Sequence, residues 1–356
     1  MVFSKEEIIK RMSKYGTMYF PEDIRDVAED IVGIDDIKEI LEDFFKALKI
    51  YGKFAEQLKK VRVTPSITVL LYGPPGTGKT SITRAIAKKY DIPICIVDAD
   101  RLVSPLLGDT LKNMRNVVEL ASEIAKENKT FLLFFDEIDA IASERSNVHE
   151  VGEIKRGVIS FLQIIDKIDY EGIPLAIFGA TNHQNQLDSA VWRRFTYHIW
   201  FGFPNFQIRK MIMIKFLERL EEASIKIDNS IYKSLEDEEK FLLNEYNKIK
   251  PVSGSQISLT EFENKWHERS RGNQIGLLTL TRGYTGADIE RAVRISLFKA
   301  IQKEFLEFDD LYSALDFAGG TKKHVEQQRE LSGNLNEYNK DIKKIDQRKK
   351  KRVNTV

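Results

Sequence analysis

Four short apolar runs stand out along the chain: Val69–Tyr72, Ile94–Val97, Phe131–Phe135 and Leu175–Gly179. They are rich in β-formers and are separated by helix-like stretches, an alternation that predicts a parallel sheet. Their hydrophobicity is continuous rather than alternating, so both faces of these strands are covered, as in an α/β domain wrapped by helices. This domain is expected over residues 30–204. Beyond Pro204 the apolar spacing changes to three and four residues, in Gln207–Glu222 and Gly286–Glu307, which predicts a smaller α-helical domain over 205–318. Between those helices the stretch 226–274 is unusually polar and reads as an insertion. It holds two further helix candidates, one opening near Ser234 on a capping-box-like Ser234-Leu235-Glu236-Asp237, the other near Thr260-Glu261-Phe262-Glu263, with a loop at Pro251–Ser255 between them. The insertion is either an adaptor or substrate contact or a solvated surface with no partner. Residues 1–29 are expected to form a short helical segment, too small for a core of its own. Residues 319–356 form a charged tail dominated by lysine and arginine over Asn339–Arg352, which is a solvated segment or a binding arm. No internal repeat is evident.

Composition narrows the class. Lys and Arg number 55 against 54 Asp and Glu, a formal net charge of +1, so nothing global draws the chain to nucleic acid or an anionic membrane. No apolar run approaches the roughly twenty residues of a membrane-crossing helix, so no membrane insertion is expected. Met1–Glu7 lacks the basic start and apolar stretch of an export signal, and a cytoplasmic location is expected. The single cysteine, Cys95, lies within Ile94–Val97 and reads as a buried small hydrophobe rather than a nucleophile. The five histidines show no metal-ligand spacing, and His149 reads as a solvated loop residue.

Against that background, Gly73-Pro74-Pro75-Gly76-Thr77-Gly78-Lys79-Thr80 stands between a predicted strand and the helical Ser81–Ala87. That is the strand-loop-helix setting of a phosphate-binding loop. Its glycines let backbone N–H groups approach phosphates at a helix N-terminus whose partial positive charge favours anions. Lys79 can reach the β- and γ-phosphates, and the Thr80 hydroxyl can ligate Mg²⁺. The cofactors implied are therefore ATP and Mg²⁺. A second apolar strand ends in adjacent carboxylates: Asp136 suits the Mg²⁺ shell, and Glu137 can activate water for attack on the γ-phosphate. Ala180-Thr181-Asn182 follows a third strand, which puts Asn182 at the sheet edge where ligands bind; its neutral amide can orient the attacking water. Arg193 and Arg194 are either surface arginines or charges supplied across a subunit boundary, worth on the order of 10³–10⁵ in rate.

Taken in order, Asp30-Ile31-Val32-Gly33, the phosphate loop, Asp136-Glu137-Ile138-Asp139, Ala180-Thr181-Asn182 and Gly283-Tyr284-Thr285-Gly286-Ala287-Asp288-Ile289 resemble the signatures of the AAA ATPases. Leu187–Phe195 is compact and lacks a Pro-Gly spacer, which is similar to the branch containing katanin, spastin and the ESCRT-disassembling ATPases. The resemblance implies that Ile31 and Gly33 contact adenine. It places Pro74, Pro75, Gly76, Thr77, Gly78, Lys79, Thr80, Ser81 and Asp136 around the nucleotide. Gly286 and Ala287 would close the site from the helical domain, and Arg193 and Arg194 would reach a neighbouring subunit's ATP. It further implies a homo-hexameric ring that remodels, unfolds or disassembles proteins through a central pore, with a protein substrate or adaptor as partner. Recruitment is expected outside the short segment ahead of Ile31. The pore-loop position departs from the family, because Leu102–Asp109 carries Leu106, preceded by Pro105, where an aromatic residue is usual; leucine lacks the flat face that stacks on a peptide. Glu144–Glu150 matches a second pore loop. Two alternatives stay open: a nucleic-acid motor or loader using the basic tail, and a scaffold that binds ATP but scarcely turns it over, against which Asp136, Glu137, Asn182, Arg193 and Arg194 argue.

Overall fold

A computed structural model describes residues 3–61, 66–102, 109–128, 130–142, 163–168, 170–249, 257–270 and 276–321. The two proposed pore-loop segments around Leu106 and His149, the loop Pro251–Ser255 and the basic tail lie outside these residues. The chain divides into two compact units, Met1–Gly202 and Phe203–Val356.

The first unit contains α1 (Lys5–Met12), β1 (Gly16–Tyr19), α2 (Asp35–Lys60), β2 (Thr68–Tyr72), α3 (Lys79–Lys89), β3 (Ile94–Val97), α4 (Asp109–Asn128), β4 (Phe131–Phe135), β5 (Leu175–Thr181), α5 (Ser189–Arg194) and β6 (Tyr197–Trp200). Its sheet has the order β1-β3-β4-β5-β2-β6 and is parallel except for β1. The four predicted runs are the central strands, and helices wrap the sheet. Their continuous hydrophobicity has the expected cause: Leu70, Leu133, Phe135 and Ile177 enter the core on one face, while Val69, Leu71, Phe134 and Phe178 enter the core on the other.

Two strands of this sheet go beyond the sequence reading, and both are edges. Tyr197-His198-Ile199-Trp200 buries only Ile199, so it has no apolar run to betray it. Gly16-Thr17-Met18-Tyr19 pairs antiparallel with β3, and Gly16 is required there because a Cβ would stand 2.1 Å from the Ile96 carbonyl oxygen. The segment expected to be merely helical thus extends the sheet. Ile8, Met12, Tyr15 and Phe20 join the same core as Leu70.

The second unit holds α6 (Phe206–Glu222), β7 (Lys226–Ile227), α7 (Asn229–Lys248), α8 (Leu259–Arg269), α9 (Leu277–Leu280), α10 (Gly286–Lys303), β8 (Phe305–Leu306) and α11 (Phe308–Ala318), with β7 and β8 paired in parallel. Helix boundaries differ from the expected ones. α7 starts at Asn229, capped by the Asp228 carboxylate on the Ser230 amide, so Ser234 lies inside the helix; α8 is capped by Ser258. An Asp followed at once by a helical run is an equally good cap, and the capping-box pattern at Ser234 competes with it and loses. α10 stops at Lys303 because Glu304 turns left-handed, at φ 52°, into β8. The polar stretch after residue 226 is not all surface: Ile231, Leu235, Leu242 and Phe262 belong to the core of this unit. Among the described residues, no helix is long and apolar enough to cross a membrane.

Candidate functional site

The parallel register brings the carboxyl ends of β4, β5 and β2 side by side, with Val69 opposite Phe178 and Phe131 opposite Leu175. The phosphate loop follows β2, Asp136 and Glu137 follow β4, and Asn182 follows β5, so chemistry far apart in sequence converges on one sheet edge.

The loop is shaped by its glycines. Gly73 has φ 140° and a Cβ there would stand 2.1 Å from the Phe201 carbonyl oxygen, while Gly76 and Gly78 have φ 75° and 93°. Only glycine takes these conformations without strain. Gly78 is the N-cap of α3 and offers no side chain, which leaves the first-turn N–H groups of that helix available to an anion. Thr77 Oγ1 donates to the Pro74 carbonyl at 2.9 Å, bracing the turn; Pro75 and Gly76 are exposed at its tip, and Ser81 follows in the first turn of α3. Ile31 lies beside the loop, its Cγ2 3.7 Å from where a Gly78 Cβ would stand. Gly33, at φ 78°, turns the chain just beyond it.

Lys79 is buried, with Nζ donating to the carbonyls of Gly73 at 2.9 Å and Pro74 at 2.8 Å. Burial pushes its pKa down to about 8, and the negative charges of Asp136 and Asp139 offset part of that fall. A phosphate needs the cationic form. Because burial brings the ligand-free Lys79 pKa to about 8 and a phosphate placed against it would raise its affinity for the proton, a nucleotide bound at Lys79 would take up a proton above pH 8. ATP affinity is therefore expected to fall as pH rises from 8, by up to about tenfold per unit. Calorimetry at pH 8.5 in buffers of different ionisation enthalpy measures the uptake directly. Lys79→Arg, which stays charged, is expected to abolish the uptake.

Thr80 Oγ1 lies 3.0 Å from Asp136 Oδ2. A hydroxyl from the phosphate loop beside a carboxylate from the neighbouring strand is a donor set of hard oxygens that fits Mg²⁺ bound together with phosphate oxygens and water. Among the described residues no group of three His, Cys, Asp or Glu is placed to hold a metal by itself; a metal held by this pair would take further oxygens from a ligand or water. Glu137 is exposed and left-handed, at φ 53°, an uncommon conformation for a side-chain-bearing residue. Its backbone is pinned: the Glu137 amide donates to Asp136 Oδ1 at 3.1 Å, the Ala140 amide donates to the Glu137 carbonyl at 2.8 Å, and the Ile138 amide donates to Ala180 at 2.9 Å. A left-handed residue held by surrounding bonds at the carboxyl edge of a sheet is strain of the kind that collects at functional sites. Asp139 is buried, and among the described residues its Oδ1 has no hydrogen-bond partner. Asn182 is half-buried at the end of β5.

Arg193 and Arg194 are exposed at the end of α5. Arg194 pairs with Asp166 at 3.1 Å; among the described residues Arg193 forms no ion pair. Gly286 and Ala287 open α10 in the second unit, behind a Thr285–Asp288 capping box. Cys95 is buried and its pKa is pushed up to about 12 by burial, so it is no thiolate nucleophile. Sequence reading missed Trp192 and His198, whose rings stack with centroids 4.4 Å apart beside the arginines. The only signal was their position around the Arg-Arg pair.

Residues 69–203 match the family described as ATPase family associated with various cellular activities (AAA). The chain is 32% identical over 202 residues to cell division protein C of Sulfolobus acidocaldarius, covering 56% of this chain and 52% of that protein. It is 34% identical over 188 residues to the cell division cycle protein 48 homolog of Archaeoglobus fulgidus, covering 52% and 24%. It is also 34% identical over 208 residues to proteasome-activating nucleotidase 1 of Halobacterium salinarum, covering 57% and 48%. The chain spans about half or less of the length of these relatives.

Proposed function

We propose, from the premise that residues 69–203 are an AAA ATPase domain, that this chain works as one subunit of a homo-hexameric ring that remodels, unfolds or disassembles protein substrates. Within each subunit Lys79 neutralises β- and γ-phosphate charge, Thr80 and Asp136 hold Mg²⁺ with the nucleotide, and Glu137 takes a proton from the attacking water that Asn182 orients. The bound ion supplies charge neutralisation across the phosphates. Ile31 and Gly33 are assigned to adenine, and Gly286 and Ala287 to closing the site.

The observation that carries the ring reading is the exposure of Arg193 and Arg194 at the end of a helix braced against the sheet. Exposed guanidinium groups gain little where they stand, but gain much against phosphate in a neighbour's water-poor site. The compact Leu187–Phe195 supports placement near katanin, spastin and the ESCRT-disassembling ATPases, and the cytoplasm is the compartment proposed. No observation among the described residues favours the nucleic-acid reading.

If hydrolysis is shared between subunits, specific ATPase activity per chain should rise with protein concentration. The rise should coincide with a species of ring mass in light scattering. Constant specific activity from a species of monomer mass would overturn the ring.

A further inference from the structure

We propose that His198 is a positioning residue for Arg193 and Arg194, acting by clamping Trp192; this rests on the arginines working across a subunit boundary.

The argument starts from the shortness of α5. A six-residue helix cannot hold its own geometry, since nucleation is unfavourable and few internal bonds form. Its last four carbonyls have no partner within the helix. Two of them are satisfied from the sheet. His198 Nε2 lies 2.9 Å from the Trp192 carbonyl oxygen, which can only accept, so this ring nitrogen carries the proton. Thr68 Oγ1 donates to the Arg194 carbonyl at 2.9 Å and accepts from the Thr196 amide at 3.1 Å. The carbonyls on either side of Arg193 are thus tied to β6 and β2, and the direction of its side chain is set through its backbone.

The imidazole does more than donate. It stacks on the Trp192 indole with centroids 4.4 Å apart and planes 19° from parallel. On the same indole Tyr72 packs edge-on, at 5.2 Å and 73°. Tyr72 is the last residue of β2 and is followed directly by Gly73 of the phosphate loop. The ring sequence His198–Trp192–Tyr72 therefore joins the strand beneath the arginines to the strand that ends in the nucleotide site. A residue needed only to fill space could be apolar; a ring donor aimed at one orphan carbonyl fixes a direction.

The test uses full-length chains. His198→Phe keeps a ring to stack but removes the donor. It is expected to lower kcat for ATP roughly tenfold or more, the scale of a displaced catalytic group, with nucleotide affinity unchanged. His198→Gln restores a donor and is expected to remain within about threefold of the unaltered protein. The decisive readout is subunit mixing. Glu137→Gln chains cannot activate water but present intact arginines, so mixing them with His198→Phe chains should recover hydrolysis well above the sum of the two alone. An Arg193→Ala plus Arg194→Ala chain mixed with Glu137→Gln serves as the reference. Recovery in the reference but not with His198→Phe would overturn the clamp while leaving shared hydrolysis standing, as would unaltered kcat in His198→Phe. Recovery in neither mixture would overturn shared hydrolysis, and the clamp with it. Equal losses in His198→Phe and His198→Gln would overturn the hydrogen bond as the cause.

Discussion

Glu137→Gln is expected to reduce ATP turnover by about 10²–10⁴-fold, the range for losing a positioned general base, while nucleotide binding survives. The substitution is nearly isosteric, and the backbone bonds that hold Glu137 left-handed come from main-chain atoms and from Asp136, so they are unaffected. Lys79, Thr80 and Asp136, assigned to the phosphates and Mg²⁺, are held by bonds that do not involve the Glu137 side chain. What changes is chemical: an amide cannot take the proton from water. Phosphate release measures the loss, and calorimetric titration with ATP measures the retained binding. Turnover within threefold of the unaltered chain would remove Glu137 from the role of base and strengthen Asp139, whose buried Oδ1 has no hydrogen-bond partner among the described residues and whose charge acts on Lys79.

Arg209→Met is expected to destabilise the second unit by about 3–5 kcal/mol. The guanidinium is 1% exposed. It donates to both oxygens of Glu263, at 2.6 and 3.3 Å, and to the carbonyls of Pro204 and Leu278, each at 2.8 Å. Glu263 also accepts the Phe206 amide at 3.0 Å. Removing the cation leaves a buried carboxylate without its counter-charge, and that uncompensated charge is the main cost. In a chain of this size the loss corresponds to a fall in Tm of about 10 °C, readable by calorimetry. Adding Glu263→Gln removes the stranded charge and should recover part of the loss. If the single and double variants melt alike, burial of charge is not the cause.

This buried pair shows where sequence reading reaches its limit. Arg209 sits on a helix whose apolar spacing was plain, and Glu263 sits in a stretch whose polarity suggested solvent. Glu238 is similar: its carboxylate is buried and accepts the Leu278 and Thr279 amides at 2.7 and 2.8 Å, capping α9 from within the supposed insertion. A charged residue looks the same in sequence whether water or a buried partner satisfies it. Only three-dimensional pairing tells them apart, so composition overstated how much of 226–274 is surface.

The nucleotide site was legible for the opposite reason. Its glycines, lysine, threonine and paired carboxylates are demanded by phosphate and metal chemistry in fixed order, and the strands that carry them are buried on both faces and so read as unbroken apolar runs. By itself, then, the sequence determined the parallel core and the phosphate-loop motif, and it pointed to the residues proposed to handle ATP. The tertiary structure alone decided the two edge strands, the Arg209–Glu263 and Glu238 connections, and the clamp of His198 on Trp192. Edge strands lack the two-sided burial that leaves a hydrophobic signature, and hydrogen bonds between distant side chains have no period along the chain to reveal them.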